Sequence, residues 1–236
     1  MIDSIQLFCI PFAGGSASYY NNWQINNHGA KVVCLPVELP GRGYKYNTPF
    51  YATFDEAVAN ICDHITLHSN GIPCFLFGHS MGALLAYEVV RKLNDLDENI
   101  VRHLFISAVK DPSACTNQNN HLLSDDQIIE RLKQYDGMPQ EIYTYPELLN
   151  AILPIIRADF RLLATFDNKR DFSPLKQGVT VFGGAHDRFV SLDGLSAWEH
   201  YTLGDFALHY FDGGHFYLNE RARDIIKIIN ETISNS

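Results

Sequence analysis

The five residues Gly78-His79-Ser80-Met81-Gly82 constrain this chain more than any other stretch. They stand between an apolar, β-rich run at 74–77 and a helical run that begins at Ala83. A serine with glycine two residues away on each side, at a strand-to-helix junction, is the setting of a nucleophile elbow. Such a turn is tight, so side chains two residues from the serine would collide. Glycines at 78 and 82 remove the collision and permit unusual dihedrals. The helix that follows aims its first amides at the serine, where they favour developing negative charge. The pattern alone arises by chance, and its place between strand and helix gives it weight. The bland alternative is an ordinary turn with a buried serine.

The rest of the chain supplies the matching frame. Short apolar runs at 5–10, 32–35, 74–77, 103–108, 179–182 and 207–211 read as strands of a parallel sheet covered on both faces. Helical patterns alternate with them: one from Thr53, with Glu56 in capping-box position, one over 82–93 and one over 220–233. The alternation predicts a single α/β domain over 1–236, of the α/β-hydrolase fold, with a mostly parallel central sheet flanked by helices. Residues 110–172 are too long for a plain connection. Ser124 with Gln127 forms a second capping-box pattern there, apolar residues recur at helical spacing from Leu148 to Ile156, and Pro139, Pro146 and Pro154 punctuate the segment. It is expected to be a helical lid insertion. A decoration that only adds core is the alternative.

A serine hydroxyl needs an adjacent base, and in this fold the chain order is serine, acid, histidine. His215, in Asp212-Gly213-Gly214-His215, follows the run 207–211; Asp187, in Gly183-Gly184-Ala185-His186-Asp187, follows the run 179–182. Both therefore reach the sheet edge where the elbow sits. The catalytic set is Ser80 as nucleophile, His215 as base and Asp187 as the acid that orients the base. Asp212 competes with Asp187 but lies only three residues from His215. Of the other nine histidines, His28 among them, His79 is expected to support the elbow sideways and His186 to point away. His64 and His68 have the i,i+4 spacing of a metal pair, yet no third ligand joins them, so they read as a solvated face. The oxyanion hole would use the backbone N–H of Met81 and a second amide from Phe12 or Ala13, in the loop Pro11–Ser16. A phosphate-binding glycine loop is the alternative there, but neither GK[ST] nor GxGxxG occurs.

Composition excludes several classes. Hydrophobic residues make up 46% and charged residues 19%, which is globular rather than disordered. The formal charge of −9, without a basic run, disfavours nucleic acid as a partner. Five cysteines without a CxxC pair argue against a disulfide framework and for a reducing, cytoplasmic setting. Cys9, Cys34 and Cys74 read as small core residues. No signal peptide and no membrane span are expected.

Six segments together resemble a known family. They are FCIPFAGGSAS near the start, ELPGRG at 38–43, FGHSMGALLAYE at 77–88, LPIIRADFRLL at 153–163, VFGGAHDRFV at 181–190 and FDGGHFYL at 211–218. In this order they resemble the type II thioesterases, the external editing thioesterases of nonribosomal peptide and polyketide synthesis. The resemblance implies hydrolysis of acyl or aminoacyl thioesters from the phosphopantetheine arm of acyl or peptidyl carrier protein domains. It implies an acyl-serine intermediate and no cofactor beyond the phosphopantetheine that the substrate carries. A soluble monomer is expected, with residues 153–163 shaping the acyl pocket. The alternatives are a free acyl-CoA or carboxyl-ester hydrolase and, in another class, an inactive hydrolase-fold binding module.

Overall fold

In the computed structural model the elements alternate as expected, and a seven-stranded sheet lies at the centre. The described residues are 5–23, 25–26, 31–96, 98–116, 119–138 and 140–235; His28 and Pro139 lie outside them. The strands are β1 (Ile5–Ile10), β2 (Ile25–Asn26), β3 (Lys31–Pro36), β4 (Cys74–His79), β5 (Val101–Ser107), β6 (Gly178–Gly184) and β7 (Phe206–Phe211). Their spatial order is β2-β3-β1-β4-β5-β6-β7. All neighbours run parallel except the two-residue β2 at one edge. Two residues are too few to show a period, so the sequence gives no sign of β2.

Helices α1 (Phe54–Ser69) and α2 (Met81–Asp95) cover one face, and α6 (Leu218–Ser234) packs into the apolar cluster on the other. Both faces of β4 are thereby buried along its whole length, which is why it reads as an unbroken apolar run. At the start of α1 the Thr53 hydroxyl accepts from the Glu56 amide, while the Glu56 carboxylate reaches Ala52 N–H instead of the cap's own amide. The box is half formed.

Order along the sheet reverses at β1, whose neighbours β3 and β4 carry the chain away on opposite sides. Loops leaving the C-terminal ends of β1 and β4 therefore meet in a crevice at the sheet's rim. Residues between β5 and β6 hold α3 (Asp125–Tyr135) and α4 (Pro146–Ala164). Ser124 caps α3 with a complete capping box, and Pro146 opens α4, where a missing N–H does no harm. Ile128, Leu153, Ile156 and Phe160 form a small apolar cluster of their own above the crevice rim. A short helix, α5 (Leu192–Ser196), follows β6.

Candidate active site

Ser80 takes φ 54° and ψ −120°, between the last residue of β4 and the first of α2. The unusual dihedral belongs to the serine. Gly78 and Gly82 are absent from the residues with positive φ, so the expectation that they adopt such angles is corrected. They are required for space. A Cβ on Gly78 would lie 2.2 Å from Gly82 O, and one on Gly82 would lie 2.2 Å from Ile10 O. The elbow is thus pressed against its own helix and against the end of β1. The Ser80 N–H donates to Ser107 O at 2.7 Å, which ties the turn to β5.

His215 brings Nε2 to 3.1 Å from Ser80 Oγ and Nδ1 to 2.7 Å from Asp187 Oδ2. The His215 and Asp187 side chains are 5% and 1% exposed. Asp187 Oδ1 accepts from the N–H groups of Phe189 and Val190, so both of its oxygens are occupied. Its loop is stitched to the histidine loop by Ala185 N–H to Phe211 O and His186 N–H to Gly213 O. Asp212 turns outward, its side chain 74% exposed, and pairs with the exposed His186 at 3.0 Å.

His79 is wholly buried behind the site. Its Nδ1 lies 2.8 Å from Ser107 Oγ, which lies 2.6 Å from Tyr217 OH. Burial, with the nearby His215, pushes the His79 pKa well down, so the ring stays neutral. The His64 and His68 rings lie 4.0 Å apart, tilted by 35°; His68 is exposed and His64 half-buried. Burial lowers the His64 pKa to about 4. Among the described residues no group of three or more His, Cys, Asp and Glu could hold a metal. The five cysteines are free, with the Cys9 and Cys34 sulfurs 3.4 Å apart.

Met81 opens α2, and its amide belongs to the first turn, which has no acceptor within the helix. In the loop after β1, the Gly14 N–H is taken by Asp159 and the Gly15 N–H by Phe12 O. Phe12 and Ala13, whose amides are the other candidates, line the same cleft as Ser80. The sequence assigned no task to Arg42 and Glu38, and placed Asp159 only within the stretch 153–163 expected to shape the acyl pocket. Arg42, from ELPGRG, forms a two-pronged ion pair with Asp159 on α4, at 2.7 and 2.6 Å. Glu38, from the same motif, accepts from Ser16 Oγ and Ala17 N–H at 3.0 Å. The motif resemblance was the signal that could have found them.

Two clefts meet at Ser80 and His215. One, of about 130 Å³, is apolar and lined by Phe12, Ala13, Leu132, Ile152, Ile156 and Phe216. The other, of about 320 Å³, has a more polar wall with Lys110, Thr116, Asn120 and Arg188. Tyr135, Phe160 and Leu163, all from the segment between β5 and β6, border both. Tyr135 stacks on Phe189 at 3.9 Å and lies 4.9 Å from the His215 ring. No helix of the described residues is long and apolar enough to cross a membrane.

Comparison with known proteins gives the family. The thioesterase domain family matches residues 5–233. Gramicidin S biosynthesis protein GrsT from Aneurinibacillus migulanus is 33% identical over 226 residues, covering 95% of this chain and 87% of that protein. The crystal structure of ClbQ, from the colibactin NRPS/PKS pathway, superposes with a TM-score of 0.91 at 28% identity, covering 99% of this chain and 98% of that one. The type II thioesterase BorB, from the borrelidin biosynthetic cluster, gives 0.84 at 32% identity and covers 98% and 93%. The chain belongs to the thioesterase domain family, and its likeness to the type II thioesterases of nonribosomal peptide and polyketide pathways extends over nearly all of its length.

Proposed function

We propose that this enzyme hydrolyses acyl and aminoacyl thioesters held on the phosphopantetheine arm of carrier proteins, through an acyl-Ser80 intermediate. The observation that carries the reading is the hydrogen-bonded row Ser80–His215–Asp187 where an apolar cleft meets a polar one. With Nδ1–H donating to Asp187, His215 Nε2 is free to take the Ser80 proton. Ser80 Oγ attacks the thioester carbonyl, the C–S bond breaks, and His215 returns the proton to the leaving thiolate. Water then attacks the acyl-serine with His215 again as base, the bond between the acyl carbon and Ser80 Oγ breaks, and His215 returns the proton to Oγ as the acid leaves. The Met81 amide, joined by that of Phe12 or Ala13, stabilises the oxyanion at each step. Written this way, the reaction draws on no metal ion or redox cofactor.

The apolar cleft suits the acyl group. The polar cleft, with the cations Lys110 and Arg188, suits the pantetheine arm and its phosphate. Residues 110–172 act as the lid over both and keep water from the acyl side. Relatives named for gramicidin S, colibactin and borrelidin biosynthesis support a carrier protein as the bearer of the thioester. We assign the enzyme to the cytoplasm, where its free thiols stay reduced, and to a monomeric state.

The test compares one acyl group on a carrier protein and on a small thiol, alongside fluorophosphonate labelling. Labelling at Ser80 and a kcat/KM at least tenfold higher on the carrier are expected. Equal constants would leave a free acyl-CoA or ester hydrolase. Folded protein without label at Ser80 would leave a binding module.

A further inference from the structure

Three stretches far apart in sequence converge on one buried contact beside the active site. Arg42 and Asp159 are each 4% exposed and joined by both prongs of the guanidinium. The same pair also grips the backbone of the loop after β1. Asp159 Oδ2 accepts from the Gly14 N–H at 2.7 Å, and Arg42 Nη1 donates to Gly15 O at 3.0 Å. Gly14 takes φ 78°, a conformation that suits glycine. A plain staple between α4 and the body of the fold would use the ion pair alone. Buried ion pairs seldom add stability over apolar side chains of equal volume, so a stabilising role explains this one poorly. What the pair does achieve is to hold the Ala13–Gly14 peptide by its N–H and the Gly15–Ser16 peptide by its carbonyl, one and three residues along from the candidate oxyanion amide of Ala13.

We propose that Asp159, backed by Arg42, is a positioning residue for the oxyanion hole. It fixes Gly14 so that the Phe12 or Ala13 amide faces the carbonyl oxygen of the substrate on Ser80. The inference rests on the hydrolase reading above. It adds that α4 serves the reaction through its charge, separately from the apolar side chains it lends to the acyl cleft.

The test is Asp159→Asn. An amide presents an N–H₂ where the native oxygen accepts, so either the Arg42 fork or Gly14 loses its acceptor. Removal of one oxyanion donor lowers kcat by roughly 10²- to 10³-fold, and misplacing one is expected to lower it by about 10²-fold. KM should move less than about threefold, because the acyl and arm clefts are untouched. Two ligands sharpen the readout: a trifluoromethyl ketone, to which Ser80 adds to form an oxyanion, and an unreactive methylene analogue of the thioester. The ketone should lose affinity in step with kcat, and the analogue should keep its own.

A folded variant with kcat and ketone affinity within twofold of the wild type overturns the proposal. So does a parallel loss for ketone and analogue, which is what a mere staple predicts. If Asp159→Asn does not fold, Arg42→Lys is read in the same way. It keeps the charge and loses the fork, so a smaller loss of the same pattern is expected. A wild type that neither turns over thioesters nor captures the ketone would sink the hydrolase reading and this inference with it. An active wild type matched by its variant would sink this inference alone.

Discussion

Helix α2 begins directly after Ser80, the proposed nucleophile, and every residue from Met81 to Val90 is buried; helix α4 passes the same serine with Leu153, Ile156, Asp159, Phe160 and Leu162 buried and its other face in solvent. Around Ser80 the first is positioned by apolar packing against the sheet and α1, a force without direction that only a close fit makes specific; its own buried carboxylate, Glu88, pairs with Arg91 and Arg170 two turns further along. The second adds a directed contact, a buried carboxylate in a guanidinium fork. The difference teaches that one site can be assembled by two kinds of force. Damage to the first kind should act through the fold, and damage to the second through the reaction.

The sharpest break comes at the start of α2. Ser80→Ala should lower kcat by roughly 10⁴-fold or more and leave the melting temperature almost unchanged. Appreciable turnover in that variant, measured on an acyl thioester, would remove α2 from the chemistry altogether. Deeper in the same helix, Leu85 is fully buried. Leu85→Ala should lower the unfolding free energy by about 2–5 kcal/mol, read by urea denaturation. Activity per folded molecule should stay close to that of the wild type. If activity fell while stability held, the division between the two helices would be wrong.

The sheet side also buries a titratable group, and it does so without a charge. His103 in β5 holds Nε2 2.8 Å from Thr180 Oγ1, and burial lowers its pKa to about 4, against the opposing charge of Asp205. The folded form therefore binds fewer protons than the unfolded chain. Stability is complete above about pH 6.5 and is lost as the pH falls through the window down to about 4. The expected loss at pH 4 reaches about 3 kcal/mol. His79 should add to the decline in the same direction. Denaturation curves across this window should flatten on the acid side in His103→Gln. The smallest effect is expected on α4. Ile156→Ala opens the apolar cleft and should shift the preferred acyl length upward, changing relative kcat/KM by about tenfold. An unchanged length profile would mean that α4 shapes the loop and not the pocket.

What could be read from the chain follows the same division. The elbow was legible because its glycines, its strand and its helix are adjacent in sequence. His215 and Asp187 were legible because each follows an apolar strand run, and strand ends meet at one rim. Met81 was singled out by its place after Ser80, whereas Phe12 and Ala13 stayed level, and both residues line the cleft. The unusual dihedrals expected at Gly78 and Gly82 are absent, and the serine takes one instead. A Gly-x-Ser-x-Gly pattern shows where space is needed, and it does not show which residue bends. β2 was invisible because it owes its place to β3 and not to a pattern of its own. Arg42 and Asp159 escaped because they stand 117 residues apart, and hydropathy periodicity registers a charged residue only as an interruption.

The meeting of the two clefts at Ser80 sets an order of departure. On the reading proposed above, a molecule lying across both has its bond cut at the junction, so the thiol half can withdraw along one channel while the acyl half stays seated in the other. On the same reading, the space the thiol vacates is lined by His215, where the base for the second step stands. Chemistry of this kind runs as a two-stroke exchange, carrier out before acid, with the second stroke waiting on the first to clear the passage.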